Sequence, residues 1–340
     1  MRQVPRRYKQ VLCRFMTFYH ERENDDAYDP DTQQFTDEEL LSITPDDLVR
    51  WLNLRCFGVQ QPTADMRPTL ARSQSVKFWK KCISFFMPNR HMQWNNQSNV
   101  GNPTRSTQVN ELLREMILAE TRLQGAPSRA RRSTTSNEFS CIQSILKEEG
   151  DTDQIKYGYR AHNNYQYHLI GWIDDCTQAR LNHLEKHDSF DFCLKTKLNW
   201  SKNVREERDC PWQVVIGSNN SLFCVLITLA LWLELMIAKP YGMATEYLFG
   251  FSSDIRIPYG GRKHKTNLQN HARDHIFNRE EFLVPGSTNV TQLGSHSIRK
   301  HAASVCRNRG CSRDEKDHRG RWKSRGRASD IYDDVELPYV

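Results

Sequence analysis

Gly294-Ser295-His296-Ser297-Ile298-Arg299-Lys300-His301-Ala302-Ala303-Ser304, followed by Arg319-Gly320-Arg321-Trp322-Lys323 and then Tyr332, is the stretch from which the rest of the chain is best read. His296 and Arg299 are three residues apart, so a helix sets them on one face. The charge around them is concentrated. From His296 to Ser329 eleven Lys and Arg stand against three acids, about +8 in a chain whose net charge is +7. The other residues therefore sum to nearly neutral, and the basic segment reads as an electrostatic footprint for a polyanion, most simply nucleic acid.

Breaking a DNA phosphodiester without metal or water requires three groups. They are a nucleophile, cations to hold the negatively charged transition state, and an acid for the leaving 5′ oxygen. A tyrosine phenol suits the first role, because a sugar hydroxyl can later displace it. Arginine suits the second, because its fork binds two phosphate oxygens and stays charged. With this order of residues on the page, the segment resembles the C-terminal box of the tyrosine recombinase (phage integrase-like) superfamily. More narrowly it is similar to the Crypton-type recombinases of eukaryotic mobile elements, whose box reads like HSIRK, then RGRWK, then a tyrosine followed by an acid. The resemblance implies that His296 and Arg299 grip the scissile phosphate, that Trp322 packs against it and hydrogen-bonds it, and that Tyr332 attacks.

The same resemblance asks for a lysine on a β-hairpin turn as general acid. Lys202, where a strand ends and its turn begins, is the expected residue, with Lys197 on the strand as the alternative. It also asks for a second arginine at the head of a motif upstream of the hairpin. There the chain reads Gly171-Trp172-Ile173-Asp174-Asp175, which sets a tryptophan in the arginine's place. Arg180 is the nearest substitute. Eight residues follow Tyr332, where the resemblance leads one to expect a further helix docking on a neighbouring subunit.

Working outward, residues 190–200 alternate Phe190, Phe192, Leu194, Thr196, Leu198 and Trp200 with polar neighbours, the period of a half-buried strand. A polar turn leads to a second short strand, Trp212 to Ile216, and to an apolar run, Leu222 to Ala238. That run is shorter than the ~20 residues of a membrane span and contains Glu234, so it predicts a buried helix. Further upstream, Thr44-Pro45-Asp46-Asp47 is a helix start, with proline at the first position and acids in the first turn. Residues 73–87 set Val76, Trp79, Ile83 and Phe86 on one helical face, and Pro88 ends the helix. Another helix spans about Ser106 to Arg122, with Val109, Leu112, Leu113, Met116 and Ile117 on its apolar face. Lys77, Lys80, Lys81 and Arg105 flank these two helices as candidate DNA contacts, alongside Arg319, Arg321 and Lys323 in the basic segment.

The expected organisation is an N-terminal extension (1–65), partly disordered ahead of the helix start at Thr44. A helical, SAM-like core-binding DNA domain (66–125), a basic linker (126–136) and a recombinase catalytic domain (137–340) follow it. The fold class is mainly α with a small antiparallel β-sheet, a helical DNA-binding domain preceding an α+β catalytic domain. In the resembled family the two domains close as a clamp on duplex DNA.

A chain of 340 residues, 38% hydrophobic and 26% charged, has the composition of a soluble two-domain protein. Its ten irregularly spaced cysteines, with no signal peptide ahead of them, predict free thiols in a reducing compartment, here the nucleus. His264, His271 and His275 with Cys306 and Cys311 lack zinc spacing, and Asp174-Asp175 lacks the partner acids of a two-metal nuclease. The expected partner is double-stranded DNA, bound by a homo-tetramer. No metal, cofactor, small-molecule ligand or membrane is expected. The function expected is site-specific recombination through a 3′-phosphotyrosine, the alternative being a catalytically degenerate DNA-binding descendant.

Overall fold

The computed structural model describes residues 6–22, 27–127, 131–200, 204, 206–238, 246–249, 261–283, 292–322 and 329–332. The chain divides into two compact units, Met1–Arg129 and Ala130–Val340.

The first unit is helical: α1 (Arg6–Tyr19), α2 (Asp37–Leu41), α3 (Pro45–Phe57), α4 (Ser73–Phe86) and α5 (Thr107–Thr121). Helix α3 begins where its chemistry predicts. The Thr44 hydroxyl accepts from the Asp47 N–H, the Asp47 carboxylate accepts from the Thr44 N–H, and Pro45 opens the first turn. The Ser106 hydroxyl caps α5 by accepting from the Val109 N–H. The sequence reading set residues 1–65 aside as an extension, and the structure corrects it. Val11, Leu12, Phe15 and Met16 of α1 and Leu48, Trp51 and Leu52 of α3 lie in one buried cluster with Val76 and Ile83 of α4 and Val109 and Met116 of α5. Spacings of one and four residues along α1 put its apolar side chains on one face, and burying that face against α4 fixes the helix.

The second unit holds α6 (Ser136–Glu149), a π-helical turn (Gln154–Tyr159) running straight into α7 (Arg160–His168), α8 (Ile173–Cys176), strands β1 (Leu184–Lys186), β2 (Cys193–Thr196) and β3 (Gln213–Ile216), α9 (Val225–Ala238), α10 (Gly261–His271), α11 (Ser297–Asn308) and α12 (Arg313–Gly320). The strands form an antiparallel sheet in the order β1-β2-β3, with Leu184 opposite Thr196 and Thr196 opposite Gln213. Thr196 and Val215 face inward, and the Tyr165 hydroxyl meets the Thr196 hydroxyl at 2.6 Å, tying the sheet to α7.

The predicted strand 190–200 is shorter than its alternation implied. Phe190 and Phe192 are exposed, and Phe192 adopts a φ of 60°, which breaks the pleat before Cys193. Helix α9 is buried along Val225, Leu229, Trp232 and Met236, and among the described residues no helix is long and apolar enough to cross a membrane.

Candidate active site

Helix α11 carries the first two expected residues, and its start is tightly held. The Gln166 amide of α7 donates to the Ser295 carbonyl at 3.0 Å, the Gln269 amide of α10 donates to the Ser295 hydroxyl at 2.8 Å, and the Gly294 N–H donates to the Ser297 hydroxyl at 3.0 Å. His296 stands at the N-cap and Arg299 in the first turn. Both meet Trp172. The His296 ring lies edge-on to it at 4.9 Å between centroids, and the Arg299 guanidinium carbon lies 4.8 Å from the indole. Trp172 is delivered by the break after α7, where Ile170 takes a left-handed φ of 45°.

Arg299 is 0% exposed. Its guanidinium lies 4.2 Å from the Trp322 ring and 5.2 Å from the Tyr332 ring, so with Trp172 three aromatic rings surround it. Nη1 donates to the Ile170 carbonyl and Nη2 to the Gly320 carbonyl at 2.8 Å. These acceptors stand just past the end of α7 and at the last residue of α12, where helices leave carbonyls without internal partners and present their negative dipole ends. One side chain thus closes two helix termini. Burial, reinforced by the nearby Arg321, pulls the guanidinium down to about 9. Its Nε has no hydrogen-bond partner, and among the described residues no carboxylate forms an ion pair with it.

Trp322 is placed by the end of α12. Arg321 turns left-handed at φ 54°, the Trp322 N–H returns to the Asp317 carbonyl at 2.9 Å, and the indole lies across Gly320. A Cβ at position 320 would stand 2.2 Å from a Trp322 ring carbon, so only glycine permits the overlap. Among the described residues the buried indole N–H has no partner. Tyr332 completes the cluster, 5.1 Å from the Trp322 ring and 5.6 Å from that of Trp172. Burial raises its phenol above the ordinary tyrosine value, and the Arg299 cation opposes the rise.

The structure thus brings His296, Arg299, Trp322 and Tyr332 together around Trp172, and leaves other expected residues elsewhere. Arg180 does not join them. It is 43% exposed, pairs with Glu246 at 2.8 Å and stacks over Tyr247, because the chain beyond α8 leads it to a bridge with that segment. Lys197 stands 5.1 Å from the Trp212 ring. Lys202 and Lys323 lie outside the described residues.

Arg319 and Arg321, expected as DNA contacts, turn inward. Arg319 donates to the His168 carbonyl at 2.9 Å and the Val214 carbonyl at 2.8 Å, joining α12 to α7 and β3. Arg321 forms a buried pair with Asp175 at 2.7 Å. A helix terminus and a strand give Arg319 fixed acceptors, the Asp175 carboxylate and the Leu198 carbonyl give Arg321 its own, and internal bonding takes precedence over solvent. The sequence marks Asp175 only as half of an acid pair without metal partners; its place as the counter-charge of Arg321 comes from the fold. The Ile170 and Gly320 carbonyls escaped the sequence reading because a backbone acceptor leaves no mark in sequence.

In the first unit, Lys77, Lys80, Lys81 and Arg105 line one cavity of about 400 Å³ that contains no acidic side chain. Burial, with Arg105 adding repulsion, lowers the Lys80 ammonium. Among the described residues no group of three or more His, Cys, Asp or Glu is arranged to hold a metal ion.

No family model and no curated protein sequence matches the chain. Among solved structures it is similar to the XerH site-specific recombinase in a post-cleavage complex with its palindromic difH substrate. The two share 10% identity over 86% of this chain and 69% of that one, with a TM-score of 0.50. XerA recombinase (12% identity, 99% and 88% covered, TM-score 0.42) and a lambda integrase dimer on a COC′ core site (13%, 88% and 68%, 0.45) lie further off. At such identity the likeness is one of fold: this chain, mainly helical with one small antiparallel sheet among its described residues, shares the fold of XerH recombinase.

Proposed function

We propose that the protein is a site-specific DNA recombinase or integrase that cleaves and rejoins duplex DNA through Tyr332. The phenol gives up its proton to solvent, its oxygen bonds to the scissile phosphorus, and the 5′ oxygen leaves, taking a proton from Lys202 or Lys197. A 3′-phosphotyrosine and a free 5′-hydroxyl result. Attack by a 5′-hydroxyl on that linkage restores the backbone, so no nucleotide energy source or metal enters the scheme. Arg299, His296 and Trp322 hold the phosphate. The cavity of Lys77, Lys80, Lys81 and Arg105 contacts the DNA backbone from the first unit. Crypton-type ancestry in a mobile element, action in the nucleus and a homo-tetramer on DNA belong to the same reading.

One observation carries it. Among the described residues, two buried N–H donors beside the Tyr332 ring, Arg299 Nε and Trp322 Nε1, lack hydrogen-bond partners, and no carboxylate forms an ion pair with Arg299. A buried donor without an acceptor costs about 1–3 kcal/mol. A phosphate relieves both donors together. Because Arg299 is fully covered, the Tyr332 ring must swing off the guanidinium as phosphate enters. A duplex nicked just beside the cleavage site tests the proposal, since loss of the short strand traps the covalent species. Wild type is expected to form a denaturant-resistant adduct that Tyr332→Phe abolishes. Tight, salt-sensitive binding without an adduct would overturn it.

Trp172 favours a second reading, a binding protein derived from a recombinase that has lost cleavage. Its indole occupies the place where the resemblance expects an arginine, and Arg180 is too far round the fold to replace it. That reading predicts no wild-type adduct and the appearance of one in Trp172→Arg.

A further inference from the structure

The end of α11 is built from Cys306-Arg307-Asn308-Arg309-Gly310-Cys311. The Cys311 N–H returns to the Cys306 carbonyl at 3.0 Å and the Gly310 N–H to the Arg307 carbonyl at 3.0 Å, with Gly310 at a φ of 79°. This double bond pattern is the glycine-terminated helix end, and it characteristically brings the side chains of its first and last residues into contact. Here both are thiols, Cys306 and Cys311. Of the ten cysteines, all free, Cys311 alone is exposed, whereas Cys306 is half-buried against the cluster of Ala302, Ala303 and Tyr332. Arg307, Arg309 and Arg313 flank the pair in sequence. Such a cationic setting draws in anionic thiol reagents.

We propose that Cys306 and Cys311 are a redox-active dithiol that closes reversibly to an intramolecular disulfide at the end of the helix carrying His296 and Arg299. The oxidant is a low-molecular-weight disulfide such as oxidised glutathione. The exposed Cys311 thiolate attacks one of its sulfurs, the reagent's S–S bond breaks, and the released thiolate takes up the proton lost by Cys311. The Cys306 thiolate then attacks the Cys311 sulfur of the mixed disulfide and expels the second reagent thiol, which takes the Cys306 proton. In sum two protein thiols are oxidised and one reagent disulfide is reduced to two thiols. Cys306 acts as the resolving thiol.

The full reduced chain, treated with oxidised glutathione, then alkylated and digested, tests the pair. The expected product has lost two hydrogen atoms, yields a peptide pair cross-linked between Cys306 and Cys311, no longer alkylates at Cys311, and reverts with dithiothreitol. Cys306→Ser and Cys306→Ala should both stop at a glutathione adduct on Cys311. A stable glutathione adduct on wild-type Cys311, a chain-to-chain disulfide, or an unreactive Cys311 would overturn the proposal. None of these results depends on whether the protein cleaves DNA.

Discussion

Arg299 is at once the centre of the candidate site and a structural member. Its planar fork satisfies the ends of α7 and α12, a geometry that the single ammonium of lysine cannot copy. Arg299→Lys is therefore expected to lower stability by about 1–3 kcal/mol for each carbonyl that loses its donor. The measurement is urea unfolding, with a lower midpoint and an unchanged slope; an unchanged midpoint would contradict the helix-closing role. Two other buried side chains set a pH dependence. Burial holds His264 down to about 3 and His301 down to about 4, against an ordinary 6.5. Both are neutral in the folded chain, so the unfolded chain binds protons first as pH falls. Stability from this source is complete above about 6.5 and is lost progressively toward 4 and then 3. The melting temperature should fall across that window, and His301→Phe, beside Phe139 and Tyr167, should flatten the upper part of the fall.

At the scale of elements, the turn after α12 decides whether the site is assembled. Gly320→Ala would gain up to about 1 kcal/mol of helix propensity, but the new methyl would collide with the Trp322 indole. Overpacking of this kind costs about 1–3 kcal/mol, so the clash should win. The expected result is a lower melting temperature together with loss of the DNA adduct, whereas a stabilised, fully active variant would show that Trp322 is not held as described. Capped helices were the legible part of the fold. Thr44-Pro45 and Ser106 mark α3 and α5 because hydroxyl caps and an N1 proline act locally. Helix α1 was missed because its basic and polar residues and the acidic run after it obscured its apolar face. Strand β1, three residues long, has too short a period to read, and β2 was overextended because alternation continues into residues the sheet does not pair. Of the site, His296, Arg299, Trp322 and Tyr332 could be read from type and order alone. The pairing of Asp175 with Arg321 and the carbonyls under Arg299 come from tertiary contacts, which no local pattern records.

For the whole molecule, charge is the property that function would use. Arginines inside the basic segment close helix ends and a strand edge, so the net charge of that segment overstates the cations free to meet DNA. The cavity of the first unit, by contrast, gathers four cations without an acid. Replacing Lys77 and Arg105 with glutamine should weaken binding across all duplex sequences and reduce the slope of log affinity against log salt by about one per lost phosphate contact. An unchanged slope in a salt titration would remove the cavity from the DNA interface.

The most direct test of the central claim is to identify the residue that DNA captures. Wild-type protein trapped on a nicked duplex, digested with nuclease and protease and analysed by tandem mass spectrometry, should carry its nucleotide remnant on Tyr332. A remnant on any other tyrosine, or none on a protein that binds the duplex tightly, would contradict the account.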